Sequence, residues 1–161
     1  QKSGEITISA WITPANLNQN GPARIVTLSR GSSNRNVTLG QDASKFDARF
    51  RTERTGPNGI PSLSSGKVIK KLTHIVFTRS RNGLGTMFIN GRQSGQRSFA
   101  GLLKNWDHNY RFALGNELTH DRPWLGTFHE VAIFPTALIP TGSKPVPPPM
   151  TSRENMYSPF W

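Results

Sequence analysis

The sequence predicts an all-β protein, an antiparallel two-sheet sandwich of about nine short strands. Apolar residues recur at every second position in one segment after another, which is the period of a half-buried strand. Asn-Gly pairs, which tolerate the positive φ angles of tight turns, fall at Asn20-Gly21, Asn58-Gly59, Asn82-Gly83 and Asn90-Gly91. No segment sustains a helical stripe, and a closed barrel is the alternative architecture with the same signature.

The elements follow in chain order. In Glu5–Pro14, Ile6, Ile8, Ala10 and Ile12 face one way and Thr7, Ser9, Trp11 and Thr13 the other. Ala23–Arg30 reads as a second apolar strand and Asn36–Gly40 as a short third. Phe46–Arg54 alternates Phe46, Ala48 and Phe50 inward against Asp47, Arg49, Arg51 and Glu53 outward, with both charge signs available for pairing. Leu72–Arg79, Gly85–Asn90, Arg92–Phe99, Tyr110–Gly115 and Gly126–Phe134 complete the set, and Asn90-Gly91 between two alternating strands is the strongest hairpin signal.

Past Phe134 the composition changes. Pro140, Pro145, Pro147, Pro148, Pro149 and Pro159 mark an extended, polyproline-like linker, so residues 1–139 are read as the sandwich and 140–161 as a tail. Its apolar end, Met156-Tyr157-Ser158-Pro159-Phe160-Trp161, is suited to packing back on the sandwich or docking on a neighbour.

A chain of 161 residues can bury an adequate core without staples, in keeping with the absence of cysteine. That absence removes disulfides, zinc thiolates and cysteine nucleophiles. No apolar run reaches the ~18 residues of a membrane span. The chain begins with Gln1, so it is read as a mature or excised piece of something longer. Twenty basic and nine acidic residues give a net charge of +11, which favours acidic ligands but also serves plain solubility. The basic residues are scattered, and only Lys67, Lys70 and Lys71 cluster.

From Glu5 to about Leu138 the chain resembles the bacterial laminin-G-like, concanavalin A-like jelly-roll family. The matching pieces are Ile6–Pro14, Ile25–Gly31, Leu72–Thr78, Met87-Phe88-Ile89-Asn90-Gly91, Leu114-Gly115-Asn116-Glu117 and Leu125–Phe134. Trp106-Asp107, Asn116-Glu117 and Asp121-Arg122-Pro123-Trp124-Leu125-Gly126 are similar to a subgroup found in large secreted multidomain proteins of planctomycete type. The resemblance implies a two-sheet jelly roll, a non-catalytic role in glycan or protein binding, and an extracellular or periplasmic home within a larger chain. Family members usually begin with an extra strand ahead of the position of Glu5. Its turn often supplies a calcium ligand, and it is absent here, which leaves a sheet edge to be unpaired or covered by the tail.

Glycosidases need two carboxylates flanking the scissile bond, ~5–9 Å apart. No two of the nine carboxylates alternate suitably on one strand, and Asp47 and Glu53 stand too far apart. No nucleophile elbow is present. His74 and His129 read as strand residues, and His108 and His120 as loop residues without zinc spacing. The chain is therefore expected not to be an enzyme. Nucleic acid rests on charge alone, with no basic arm or recognition motif, and is not an expected partner.

The candidate ligand-binding residues are Trp106, Asp107, Asn116, Glu117, His120, Asp121, Arg122 and Trp124. Arg54 and Asn58 in the long Arg54–Pro61 loop join them. Indoles beside carboxylates, amides and a guanidinium are what a sugar site needs: a flat face for C–H groups and polar groups for hydroxyls. The same residues also suit a structural part, with the tryptophans plugging the sandwich and the polar groups bracing the loop. No cofactor is required, but Asn116, Glu117 and Asp121 are hard oxygen donors and form a candidate calcium set. The expected partners are a glycan, acidic polysaccharide included, or a protein docked through the tail.

Overall fold

The computed structural model describes residues 3–140. Ten strands alternate along them: β1 Ile6–Pro14, β2 Gln19–Gly31, β3 Asn34–Ala43, β4 Lys45–Phe50, β5 Leu63–Ser65, β6 Thr73–Arg79, β7 Leu84–Ile89, β8 Arg92–Ser98, β9 Arg111–Leu114 and β10 Gly126–Phe134. They form two five-stranded antiparallel sheets, one ordered β10-β1-β6-β7-β8 and the other β5-β4-β3-β2-β9.

The predicted alternation sets the core. Ile8, Ala10 and Ile12 of β1 and Phe46, Ala48 and Phe50 of β4 are fully buried between the sheets. Phe50 is a hub, with the rings of Phe77, Phe99 and Trp106 at 6.1, 5.9 and 5.2 Å. The Asn90-Gly91 turn has positive φ at both residues, 50° and 77°, as a tight two-residue hairpin requires.

Several expectations are corrected. Asn20-Gly21 is no reversal: Gly21 lies within β2 beside a bulge, where a Cβ would stand 2.5 Å from the Gln41 carbonyl oxygen, so close backbone approach explains the glycine. The strand beginning near Phe46 stops at Phe50, because Thr52 and Thr55 close a turn through a 2.7 Å bond from the Thr52 N–H to the Thr55 hydroxyl. Asp47 is not on an open face but buried, held by Arg49 at 3.1 Å and the Ser62 hydroxyl at 2.6 Å. Strand β5 went unpredicted, since three residues are too short to show a period.

The two flanks of the sandwich differ. On one, β5 and β8 are tied by the Ser65 hydroxyl, which donates to the Ser94 carbonyl at 2.7 Å. On the other, β9 and β10 are edge strands. Phe112 and Leu114 stand opposite Leu28 and Val26 of the core face yet remain 49% and 45% exposed. The expected tail cover falls outside the described residues.

On the outer face of the first sheet, Trp11 stacks on His74 at 4.4 Å with the rings 7° from parallel, and His74 Nε2 meets the Ser9 hydroxyl at 2.8 Å. Burial pulls the His74 pKa below its ordinary 6.5, with Glu130 pulling weakly the other way. Between the lowered folded value and 6.5 the unfolded chain holds more protons, so stability falls as pH drops through that window. Urea midpoints at about pH 7.5 and 5 are expected to show that loss, and His74→Gln is expected to shrink it. An unchanged difference in the variant would assign the loss elsewhere.

Candidate functional site

The ten predicted site residues do not form one site. Trp106 and Trp124 sit at opposite ends of the sandwich. Trp124 lies where β1 ends and β10 begins; it is 5% exposed and donates its Nε1–H to Gln41 Oε1 at 3.0 Å. Its ring packs on Phe128 at 4.9 Å, so it fills the core. Trp106 lies at the end where β1 begins and β6 and β10 finish. It is half-buried, donates its Nε1–H to the Arg51 carbonyl at 2.7 Å and leans on Phe50. Asp107 braces the same corner, its backbone clasped by the Asn36 side chain at 2.8 and 3.1 Å.

The segment from Asn116 to Arg122 is a flap over the outer face of the second sheet. Glu117 is buried there against Arg24, Nε to Oε2 at 2.9 Å. Its other carboxylate oxygen accepts from the Ser29 hydroxyl and, at 3.1 Å, from the Leu118 N–H. Asn116 Oδ1 accepts from the Glu117 and Arg122 N–H groups at 2.8 and 3.0 Å. Asp121 takes the Thr119 hydroxyl at 2.5 Å, which with Arg122 at 3.3 Å lowers its pKa. His120 is exposed at positive φ, 60°. Asn58 accepts from Arg49 at 3.0 Å and so holds its loop.

This geometry does not fit calcium. A carboxylate already neutralised by a guanidinium offers a cation no net charge, and the Asn116 oxygen is spent on two N–H groups. Among the described residues no group of three His, Cys, Asp or Glu side chains is placed to hold a metal ion.

Beneath the flap the charges are crowded. Arg24 and Arg35 are fully buried. Burial lowers the Arg24 pKa, with Glu117 drawing it back up. The Arg35 pKa is lowered to about 9, by burial first and then by Arg24 and Arg49. Arg35 Nε has no hydrogen-bond partner among the described residues.

Two clefts open at the Trp106 end. One cleft of about 260 Å³ is lined by Trp106, Leu103, Ile6, Ile133, Phe134 and Pro135, with Glu5 its one carboxylate. Across Leu103 lies a second cleft of about 450 Å³ between Ser3 and Gly4, ahead of β1, and the Gly101–Lys104 segment. Arg79, Arg81 and Lys104 line it, and the Arg54 stem lies close against Gly101 on its wall. Sequence reasoning missed Arg79, Arg81, Leu103 and Lys104. Arg81 and Lys104 are far apart in the chain, and only the fold sets them across one cleft. Arg79 alone left a signal, a cation closing the apolar run Thr73–Thr78.

A family model described as the concanavalin A-like lectin/glucanases superfamily matches residues 1–141. No curated protein sequence matches the chain. Solved structures share the fold at low identity. The CBM40 of the Ruminococcus gnavus IT-sialidase, bound to alpha2,3 sialyllactose, aligns with a TM-score of 0.64 at 15% identity over 84% of this chain and 77% of its own. A heptameric SAP-like pentraxin from Limulus polyphemus gives 0.61 at 12% over 84% and 66%. Domain 4 of AbnA, an extracellular arabinanase from Geobacillus stearothermophilus, in complex with arabinotriose, gives 0.59 at 20% over 87% and 65%. This chain thus spans just under two thirds of the last two.

Glu117→Gln is expected to cost about 3–5 kcal/mol in urea unfolding, because Arg24 is left buried without a counter-charge. Asp121→Asn, at the exposed pair, is expected to stay within about 0.5 kcal/mol. Equal effects of the two would mean that the buried pair does not pin the flap.

Proposed function

The chain belongs to the concanavalin A-like lectin/glucanase superfamily, and from that premise we propose that it is a non-catalytic carbohydrate-binding domain of a larger extracytoplasmic protein. The observation that carries the reading is the cleft pair around Leu103. Trp106 and Phe134 supply aromatic surface for sugar C–H groups, and the cationic wall next to it supplies donors for oxygen substituents. Of the candidates read from sequence, Trp106 and Arg54 belong to this end. Asn116, Glu117, Asp121, Arg122 and Trp124 serve the scaffold in this reading, and the exposed His120 stands apart from the clefts.

Catalysis is not supported by the carboxylates. Hydrolysis needs two across the scissile bond, and among the described residues Glu5 is the one acid lining these clefts. The buried pair, Glu117 and Asp47, is committed to Arg24 and Arg49. The arabinotriose and sialyllactose complexes of two structural neighbours support a glycan ligand, and the extracellular arabinanase supports the location. No described helix is long and apolar enough to cross a membrane.

Affinity electrophoresis against neutral and acidic polysaccharides is the test. Retention on at least one is expected, with Phe134→Ala weakening it about fivefold, the equivalent of ~1 kcal/mol of lost ring contact. Free migration through every gel would end the carbohydrate reading.

A second reading, a protein-interaction domain, is favoured by the open β9–β10 flank with Phe112, Leu114 and Ile133 exposed. In that case a chain truncated after Pro140 should stay folded by circular dichroism and lose association with its neighbour. Undiminished association would remove the tail from this reading.

A further inference from the structure

The larger cleft carries more positive charge than donors for sugar hydroxyls require. Arg79 forms its floor, 2% exposed, with its guanidinium carbon 5.2 Å above the Phe50 ring. Nε and Nη2 donate to the Phe99 carbonyl at 3.2 and 2.9 Å, Nη2 donates also to Gly101 at 2.9 Å, and Nη1 donates to Gly4. Those four bonds leave one of the five guanidinium donors, on Nη1, over. All three acceptors are neutral carbonyls. Burial alone lowers the Arg79 pKa, and no carboxylate opposes it.

Most buried cations have a counter-charge. Arg24 has Glu117; Arg35 and Arg79 make no ion pair among the described residues, but Arg35 has Glu117 and Asp47 near enough to act on it, whereas no acid acts on Arg79. Two further cations, Arg81 and Lys104, stand exposed on the walls above it, and among the described residues no acidic side chain lines the cleft. Glu5, the nearest acid lining either cleft, belongs to the neighbouring one beyond Leu103.

Resting on the carbohydrate reading above, we propose that this cleft recognises an anionic substituent of the glycan, a sugar carboxylate or a sulfate ester, held by Arg81 and Lys104 over the buried Arg79. Arg81 offers a planar fork suited to two oxygens and Lys104 a mobile point charge. Arg79 contributes field rather than a fork, since its donors are mostly spent, and its low-dielectric setting leaves that field poorly screened. The uncharged part of the same glycan then reaches across Leu103 to Trp106 and Phe134.

The test uses the full chain at low ionic strength, where such contacts are least screened. The probes are polygalacturonate for carboxylate, dextran sulfate for sulfate, a panel of neutral polysaccharides, and single-stranded poly-dT as a polyanion without either group. Two double variants each remove two exposed positive charges: Arg81→Ala with Lys104→Ala in the cleft, and Lys70→Ala with Lys71→Ala away from it. The cleft variant is expected to bind an acidic polysaccharide about tenfold more weakly, while the control variant stays within about twofold. Selective loss on polygalacturonate names the carboxylate and selective loss on dextran sulfate names the sulfate, and either supports the cleft.

Equal weakening in the two double variants would overturn the proposal, since net charge alone would then account for binding. So would poly-dT binding as tightly as the acidic glycans and with the same loss in the cleft variant. Retention on a neutral polysaccharide with none on either acidic one would overturn the cleft and leave the carbohydrate reading standing. No retention on any glycan would end both.

Discussion

The end of this sandwich depends on one buried cation. Arg79 lies on the Phe50 ring and gathers the carbonyls of Gly4, Phe99 and Gly101. Those carbonyls belong to the segment just ahead of β1 and to the turn that follows β8, stretches with no ladder of their own. The guanidinium therefore substitutes for a strand pairing, using its fan of donors to close backbone that would otherwise be left unsatisfied. Phe50 in turn holds Phe77, Phe99 and Trp106. Core packing, the N-terminal path and the floor of the larger cleft all meet at this contact.

The other buried arginines are handled differently. Arg24 is paired with Glu117, and that pair fixes the flap running from Gly115 to Trp124 across the second sheet. A loop that long needs internal anchors, and its acids and amide are spent as such. Arg35 lies beside Arg24 with two oxygen acceptors and an Nε unsatisfied among the described residues, and its pKa is lowered to about 9 by burial first and then by the neighbouring cations. Polar residues clustered in a loop thus turn out to be the means of keeping the loop down.

The strands were legible because burial on one side writes a period of two into Ile8-Ser9-Ala10-Trp11-Ile12 and Phe46-Asp47-Ala48-Arg49-Phe50. The Asn90-Gly91 turn was legible because only certain residues accept two positive φ angles in succession. Asn20-Gly21 misled because glycine also answers to close backbone approach, which a sequence does not distinguish from a turn. Local composition singled out Trp106 and Trp124 equally, yet one edges a cleft and the other is walled in by Gln41 and Phe128. That difference comes from where each loop meets the opposite sheet, which is a property of the topology.

The same topology argues for where recognition can be placed. The flap over the second sheet cannot be opened without exposing Arg24 and Glu117 to separate solvation, so its rearrangement works against a buried ion pair. The Trp106 end carries no such penalty. Arg81 and Lys104 are exposed and make no ion pair among the described residues; Lys104 follows Gly101, whose carbonyl Arg79 holds, and Arg81 sits on the turn closed by the Gly83 N–H to the Ser80 carbonyl at 2.8 Å. The Arg81 and Lys104 side chains can change without touching the Phe50 cluster, whereas Trp106 and Arg79 are part of it. In the proposed reading, the exposed cations choose the anionic group while Arg79 is structural at its donors and electrostatic at its charge.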